Sequence, residues 1–254
     1  MGSGLTPHGE PARYFTFASL GALGVPHVIT TRHCPEIGTA SASPSPFAGA
    51  AGDLLTGRGL AMDRVAWGWQ VHGAGVAAVG AGGGFAGRVD VLVTSVPGVP
   101  LAIFTADCLA IVLVDVEAPA LALAHVGWRG TVRGATQAAV AAIVAAGARP
   151  ERIRAAISPS IGPCCYEVDA PVIDQFVAAY PDRSRTWMTS STHAGHVMLD
   201  LWSANVALLE DAGVSAARIE SPRICTACHI DTFYSYRKGH KGRLATIAAL
   251  GVRL

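Results

Sequence analysis

Three potential metal ligands occupy similar positions in this 254-residue sequence. His72 lies in "WGWQVHG", Cys108 in "TADC" and His125 in "AHVGWRG", and each stands where an apolar segment meets polar or glycine residues. One cysteine and two histidines form a suitable three-ligand set for Zn²⁺, which leaves a fourth position for water or substrate. Water on such an ion ionises near neutral pH and becomes a nucleophile. The residue types therefore suggest an open, catalytic kind of metal site.

The spacing of these three residues does not by itself select a metal site. The set contains no compact Cys-x-x-Cys or His-x-x-x-His pair, and a buried thiol beside two hydrogen-bonded histidines fits it equally well. A second functional interpretation makes Cys108 a thiolate nucleophile and His125 its general base, as in cysteine hydrolases. All three interpretations stay open on the sequence pattern alone.

Two further cysteine motifs occur in the second half of the chain. The segment "CTACH" (225–229) matches the patterns of c-type haem attachment and of redox dithiols, but it has neither an export segment nor a thioredoxin-like βαβ context. In "PCCYE", Cys164 and Cys165 would point in different directions on any regular element, so we expect them not to ligate one metal together. We interpret these residues as structural or incidental cysteines with reduced thiols.

Arginines provide candidate anion-binding groups. "GWRGT" places Arg129 between two glycines, just before a helix that we expect to begin near Val132. Backbone N–H groups at a helix start and a guanidinium can bind phosphate or an oxyanion, although a surface arginine after a turn fits the pattern equally well. Arg32 in "ITTR", and Arg237 with Arg243 in "SYRKGHKGR", are further candidates of a type that is more often solvated.

The elements that would position these groups begin at about Val91. Short apolar runs predict strands of a buried sheet, and they read "VLVT", "LAIFT", "IVLVD", "LALAH" and "RIRAAI". Gly134–Ala148 predicts a helix that covers this sheet. Two more helices and two more strands are expected from "APVIDQFVAAY", "DLWSANVALLEDAG", "FYSYR" and "LATIAAL". The mixed order favours an α+β fold with helices layered on the outer faces of sheets.

Composition restricts the class of protein. Hydrophobic residues make up 51% of the chain and charged residues 15%, which is typical of a globular protein that buries a sizeable core. The formal net charge of +1 and the lack of a basic cluster predict no nucleic-acid partner. Neither a leader-like N-terminus nor a run long enough for a bilayer is seen, so we expect a cytoplasmic protein with no membrane partner.

Five motifs together carry a family resemblance that extends from about Trp67 to the C-terminus. The chain resembles the purine nucleoside phosphorylases of the YfiH or laccase-domain type, formerly described as multicopper polyphenol oxidases. The motifs occur in the family's order and read "WGWQVHG", "VDVLVTSVPGVPLAIFTADCLAIVLVD", "LAHVGWRGT", "SPSIGPCCYEV" and "CTACHIDTFYSYRKGHKGRLATIAAL".

This resemblance implies a fold, an activity and a metal site. The implied fold is a layered α/β/β/α arrangement with mixed sheets, in a single compact domain over residues 1–254 and in a monomer or weak homodimer. The implied activity is phosphorolysis of adenosine, inosine, guanosine and methylthioadenosine, accompanied by adenosine deamination. The implied cofactor is one zinc ion on His72, Cys108 and His125, with copper as a less favoured occupant.

Roles for neighbouring residues follow from this hypothesis. For deamination, zinc-activated water would attack the purine C6, and Asp107 could relay the proton. That role needs a bend after Ala106, and the alternative is that Asp107 orients a ligand histidine through its second nitrogen. For phosphorolysis, we expect Arg129 and Arg32, together with Gln70, to bind phosphate or substrate.

Residues 1–66 diverge from the family pattern. Where a glycine-rich turn and an asparagine are expected after "TTR", this chain has "HCPEIGTASASPSPFAGAAGD". An inactive nucleoside-binding homologue is therefore one alternative, and a hydrolase using Cys108 and His125 is another. A copper-dependent polyphenol oxidase is a third, but such enzymes commonly hold several copper ions with His-x-His pairs, and this chain has none.

Overall fold

Two stacked β-sheets, with helices on both outer faces, make up the computed structural model, which describes residues 4–35, 37–38 and 45–251. The helices are α1 (Ala18–Ala22), α2 (Ala50–Thr56), α3 (Trp128–Val132), α4 (Ala135–Ala145), α5 (Ala170–Ala179) and α6 (Leu201–Asp211). The strands are β1 (Leu5–His8), β2 (Tyr14–Phe17), β3 (His27–Thr30), β4 (Ala66–Trp67), β5 (Val76–Ala78), β6 (Gly84–Phe85), β7 (Val91–Thr94), β8 (Leu101–Thr105), β9 (Leu109–Asp115), β10 (Ala120–Val126), β11 (Arg154–Ile157), β12 (Glu167–Val168), β13 (Met188–Ser190), β14 (Val197–Leu199), β15 (Ile219–Glu220) and β16 (Leu244–Ala248).

Both large sheets are mixed. The seven-stranded sheet has the order β1-β2-β3-β16-β8-β4-β6, and the six-stranded sheet has the order β15-β11-β9-β10-β7-β5. Most neighbours are antiparallel, while β4 runs parallel to β6 and β8, β5 to β7, and β11 to β15. A small third sheet, β12-β14-β13, lies beside the helices. The predicted mixed sheets are confirmed.

Side-chain alternation along the central strands defines the layers. On β9, Leu109 and Ile111 pack into the cluster formed with α4, α5 and α6, whereas Val112 packs between the two sheets. On β8, Ile103 faces the space between the sheets and Phe104 packs into the cluster that contains α2. Strands buried on both faces have continuous apolar sequences, as these do. The layer order is therefore α/β/β/α, as predicted.

Two sequence-based predictions of local structure are wrong. The segment "FYSYR" (233–237) is an irregular loop, because Ser235 and the Arg237 backbone N–H bond to the Asp107 carboxylate instead of a neighbouring strand. The helix expected to begin near Val132 is preceded by α3, so Arg129 lies within a helical turn. Residues 39–44 of the divergent N-terminal segment lie outside the described residues.

Among the described residues, no helix is both long enough and apolar enough to cross a lipid bilayer.

Candidate metal centre

The three predicted ligands meet at one end of the six-stranded sheet. The antiparallel register places Val126 of β10 opposite Leu109 of β9, so Cys108, directly before β9, lies next to Gly127, two residues beyond His125. His72 comes from the loop between β4 and β5, and one donor atom from each of the three residues lies within 4.8 Å of the others. The structure therefore brings together residues separated by up to 53 positions in the sequence (125 − 72).

Burial is graded across the three ligands. His125 is buried, Cys108 is half-buried and His72 is exposed. The centre is thus anchored in the core on one side and open to solvent on the side of His72. An open fourth position is what distinguishes catalytic from structural zinc sites.

Asp90 organises the centre, and the sequence analysis missed it. This fully buried carboxylate, next to the start of β7, accepts a hydrogen bond from His125 Nδ1 at 2.8 Å. It also accepts from the backbone N–H groups of His72 at 2.9 Å and Gly73 at 2.7 Å. Asp90 therefore fixes the His125 ring with Nε2 free for a ligand role, and it holds the loop that carries His72.

The sequence offered one signal for Asp90. It opens the apolar segment "DVLV", and a buried carboxylate must find donors elsewhere in the fold. The identity of those donors could not be read locally, because His125 is 35 residues away.

The loop that carries His72 is fastened at two more points. The Gln70 amide exchanges two hydrogen bonds with the Phe104 backbone, at 2.8 and 2.7 Å, which ties the loop to β8. Arg133 Nη1 donates to the His72 carbonyl at 2.9 Å. His72 itself has φ of 58°, a conformation that costs free energy for a non-glycine residue and needs such support. Contacts within the protein therefore hold the loop that carries His72 in place.

Gly127 allows the close approach of the ligands. A Cβ atom at this position would lie 2.7 Å from Cys108 Sγ and 3.5 Å from His72 Cδ2. Only the missing side chain leaves room for the sulfur, so the "HVGW" glycine is explained by packing against the centre.

Charge interactions shift the pKa values of Cys108 and His125. Burial alone would raise the pKa of the Cys108 thiol, but the charge and hydrogen bonds of His125 and His72 outweigh burial and lower the pKa to about 6. Burial opposes protonation of His125, yet Cys108 and Asp90 together raise its pKa to about 9. Both pKa shifts favour the thiolate form of Cys108 and the protonated form of His125.

This donor set fits a divalent cation. The Cys108 thiolate and the Asp90 carboxylate supply two negative charges, and a metal ion on Nε2 would replace the proton of the His125 imidazolium. Two imidazoles and one thiolate match the ligand preferences of zinc. The residues present thus suit the metal that the resemblance implies.

Asp107 lies next to the centre but is bonded on its other side. Its φ of 88° gives the chain a bend after Ala106. The carboxylate accepts hydrogen bonds from the hydroxyls of Thr226 at 2.6 Å and Ser235 at 3.1 Å, and from the Arg237 N–H at 2.7 Å. The carboxylate that bonds to His125 is Asp90, and Asp107 holds two later segments of the chain against the end of the sheet.

The two candidate phosphate-binding arginines are exposed. Arg129 follows His125 by four residues, and its guanidinium stacks 4.3 Å from the Trp128 ring centroid. Arg32 donates through Nη1 to the Ile230 carbonyl at 2.5 Å and lies 5.6 Å from the Tyr234 ring centroid. Arg243 bonds only to nearby carbonyls of its own loop among the hydrogen bonds described.

Known proteins resemble this chain in sequence and structure. The sequence pattern of the family described as multi-copper polyphenol oxidoreductase laccase matches residues 50–251. A purine nucleoside phosphorylase of Deinococcus radiodurans is 41% identical over 239 residues and covers 90% of both chains. A protein named adenosine deaminase RL5, from an unknown prokaryotic organism, is 39% identical over 59% of this chain and 57% of its own. The crystal structure of YlmD from Geobacillus stearothermophilus has a TM-score of 0.84 at 29% identity, covering 97% of this chain and 99% of that chain.

Proposed function

This chain belongs to the multi-copper polyphenol oxidoreductase laccase family, and we propose that it is a zinc-dependent purine nucleoside phosphorylase that also deaminates adenosine. The observation that carries the proposal is the convergence of His72, Cys108 and His125 within 4.8 Å on an Asp90 support. Relatives with the names purine nucleoside phosphorylase and adenosine deaminase supply the reaction class.

The proposed ligands are His72, Cys108 and His125. A zinc ion bound there supplies a Lewis acid that polarises an oxygen and makes water nucleophilic near neutral pH. The protein contributes the geometry: Asp90 fixes the His125 tautomer, and Gly127 gives the sulfur its space. Exposure of His72 leaves that side of the centre for a nucleoside.

For phosphorolysis, phosphate must be held against the ribose C1′ while the purine leaves. We assign phosphate binding first to Arg129, because it lies on α3, four residues after His125, so its backbone is at the same end of the sheet. Arg32 is the second assignment. Gln70 can contact substrate only through the remaining lone pair of its oxygen or the second N–H of its nitrogen, because Phe104 uses the others.

For deamination, a group near the centre must move a proton to the leaving amine at purine C6. Asp107 remains our candidate for this role, since it precedes the ligand Cys108. A shift of one of its three hydrogen bonds would be needed to free an oxygen. Removing the charge with Asp107→Asn tests the role, with phosphorolysis of inosine as the internal comparison.

One observation favours a second candidate function. The Cys108 thiolate and the His125 imidazolium are the pair that a cysteine hydrolase uses. A hydrolase needs only one histidine, however, and His72 supplies a third donor to the same point. Chelation separates the two functions, because a cysteine nucleophile works without metal.

The experiment combines metal analysis with product detection. Purified protein is incubated with adenosine, with and without phosphate, and adenine and inosine are separated by chromatography. We expect bound zinc, adenine only when phosphate is present, and inosine in both cases. Cys108→Ala should lose the zinc of this centre and both products. Activity that resists chelation but not thiol alkylation would support the hydrolase, and a metal-free protein that forms neither product would refute the proposal.

A further inference from the structure

A second cluster of metal-binding side chains lies outside the candidate centre. The sulfur atoms of Cys164, Cys165, Cys225 and Cys228 all lie within 4.8 Å of one another. Cys228 Sγ is 3.4 Å from the sulfur atoms of both Cys164 and Cys165. The expectation that the two adjacent cysteines point apart is therefore wrong, because both sulfur atoms face the same cluster.

The fold builds this cluster from two distant segments. An isolated parallel bridge pairs Ser160 with Cys225. The Ser160 N–H donates to the Ile224 carbonyl, and the Ser160 carbonyl accepts from the Thr226 N–H, both at 3.1 Å. The Ser160 hydroxyl also accepts from the Trp202 indole at 2.7 Å, within the core. The bridge therefore brings the two segments that contain the cysteine pairs together next to the core.

Turns explain how each pair converges. Cys165 and Tyr166 both donate their N–H groups to the Gly162 carbonyl at 3.0 Å, so Cys164 and Cys165 lie on a tight turn and not on a regular element. On the other segment, Cys228 N–H donates to the Cys225 carbonyl at 3.2 Å. The Cys-x-x-Cys spacing of 225 and 228 is the usual spacing of one half of a structural zinc site.

The distances fit a single tetrahedral ion. Zn–S bonds of about 2.3 Å place tetrahedral sulfurs about 3.8 Å apart. The two shortest separations described, 3.4 Å each, lie slightly below this value, and all four sulfurs lie within 4.8 Å of one another. A disulfide needs sulfurs about 2.05 Å apart and a single partner. Cys228 Sγ lies at the same distance from the sulfurs of Cys164 and Cys165, so the geometry favours neither of them as a disulfide partner.

The close approach of the four sulfur atoms also favours a bound cation. The Gly162 N–H donates to Cys225 Sγ at 3.2 Å, and such a hydrogen bond stabilises a thiolate. Four sulfurs this close cannot all become thiolates unless a cation compensates their charge.

We propose that Cys164, Cys165, Cys225 and Cys228 bind one zinc ion in a closed, structural site that is separate from the candidate centre. Binding replaces up to four thiol protons, which pass to solvent, and involves no redox change. Both segments of the cluster also bond to Asp107, through Ile161 N–H at 2.9 Å and the Thr226 hydroxyl at 2.6 Å. The ion would therefore stabilise the two segments that bond to Asp107, the residue directly before Cys108.

The test is metal stoichiometry in the full chain, purified under reducing conditions. We expect about two zinc ions per wild-type chain, one for each cluster. Cys228→Ser should halve the zinc content, and Cys108→Ala should also halve it while keeping a tetrathiolate cobalt spectrum after substitution. Cys34→Ser is the matched control, because Cys34 belongs to neither cluster, and it should retain both ions.

Several results would overturn this proposal. One such result is a Cys228→Ser variant with the same zinc content as wild type. Another is a wild-type protein with a single zinc ion that is lost completely in Cys108→Ala. Iron with labile sulfide, or fewer than six free thiols after denaturation with chelator, would replace the zinc site with a cluster or a disulfide. If Cys228→Ser does not fold, cobalt titration of metal-free wild-type protein decides, since the four-sulfur site requires a tetrathiolate spectrum.

Discussion

Asp90→Asn should weaken metal binding although Asp90 is not a ligand. The carboxylate accepts from His125 Nδ1 and from the N–H groups of Val71, His72 and Gly73 at 2.7–3.2 Å. Asparagine keeps one oxygen and turns an NH₂ group toward donors. The substitution therefore removes the charge that faces His125 and leaves at least one buried N–H group without an acceptor.

The expected magnitude follows from this geometry. Loss of a group that orients a ligand histidine lowers metal affinity about 10–100-fold, which equals about 1.4–2.8 kcal/mol. Leaving buried donors unpaired should also lower the free energy of unfolding of the metal-free protein by about 3 kcal/mol. The first effect is specific to the centre, and the second is shared by any buried carboxylate of this kind.

Competitive zinc titration against a chromophoric chelator measures the first effect, and urea unfolding measures the second. Asp115→Asn is the matched control. Asp115 is also buried and accepts from Arg149 and Arg152, but it lies at the opposite end of β9. It should lose stability and keep zinc affinity at the Cys108 centre. If the affinity of Asp90→Asn for zinc stays within about threefold of wild type, Asp90 does not position the ligands.

Three further predictions concern the same centre. Gly127→Ala should lower zinc affinity at least about tenfold, because its Cβ meets the Cys108 sulfur at 2.7 Å; Gly80→Ala, where a Cβ meets nothing within 4 Å, should have no effect. In metal-free protein, alkylation of Cys108 mapped by mass spectrometry should be half-maximal near pH 6, since its lowered pKa keeps it a thiolate above that pH. Cys34, whose pKa burial raises to about 11, should react only at high pH, and zinc should protect Cys108. Arg129→Ala should lower kcat/KM for phosphate about 10–100-fold, and an equal loss in deamination would contradict its phosphate role.

Continuous apolar strands were the part of the fold that local sequence could predict. Both faces of β8, β9 and β10 are buried, so their residues need no polar alternation and the strand limits stand out. The loop at 233–237 looked like a strand because tyrosine and phenylalanine favour sheets. Its hydrogen bonds go to Asp107, more than a hundred residues away, and no local pattern contains that information.

The candidate site likewise combines residues that the sequence could suggest with residues whose roles depend on long-range contacts. Residue types and strand ends suggested His72, Cys108 and His125, and the family resemblance selected the metal interpretation among the alternatives. Asp90 and Gly127 act through contacts made only in the folded chain. The four-cysteine cluster was missed because adjacent cysteines diverge on regular elements, whereas a turn directs both sulfurs to one point. Rules that infer side-chain direction from sequence spacing hold for helices and strands, and they do not hold for turns.

Zinc add-back to metal-free protein tests the central claim most directly. The metal is removed with a chelator, zinc is returned in steps, and adenine formation from adenosine and phosphate is measured against bound zinc in wild type and in Cys108→Ala. We predict that activity is lost with the metal, returns in proportion to zinc bound at His72, Cys108 and His125, and never returns in Cys108→Ala. Full phosphorolysis by metal-free wild-type protein would contradict the account.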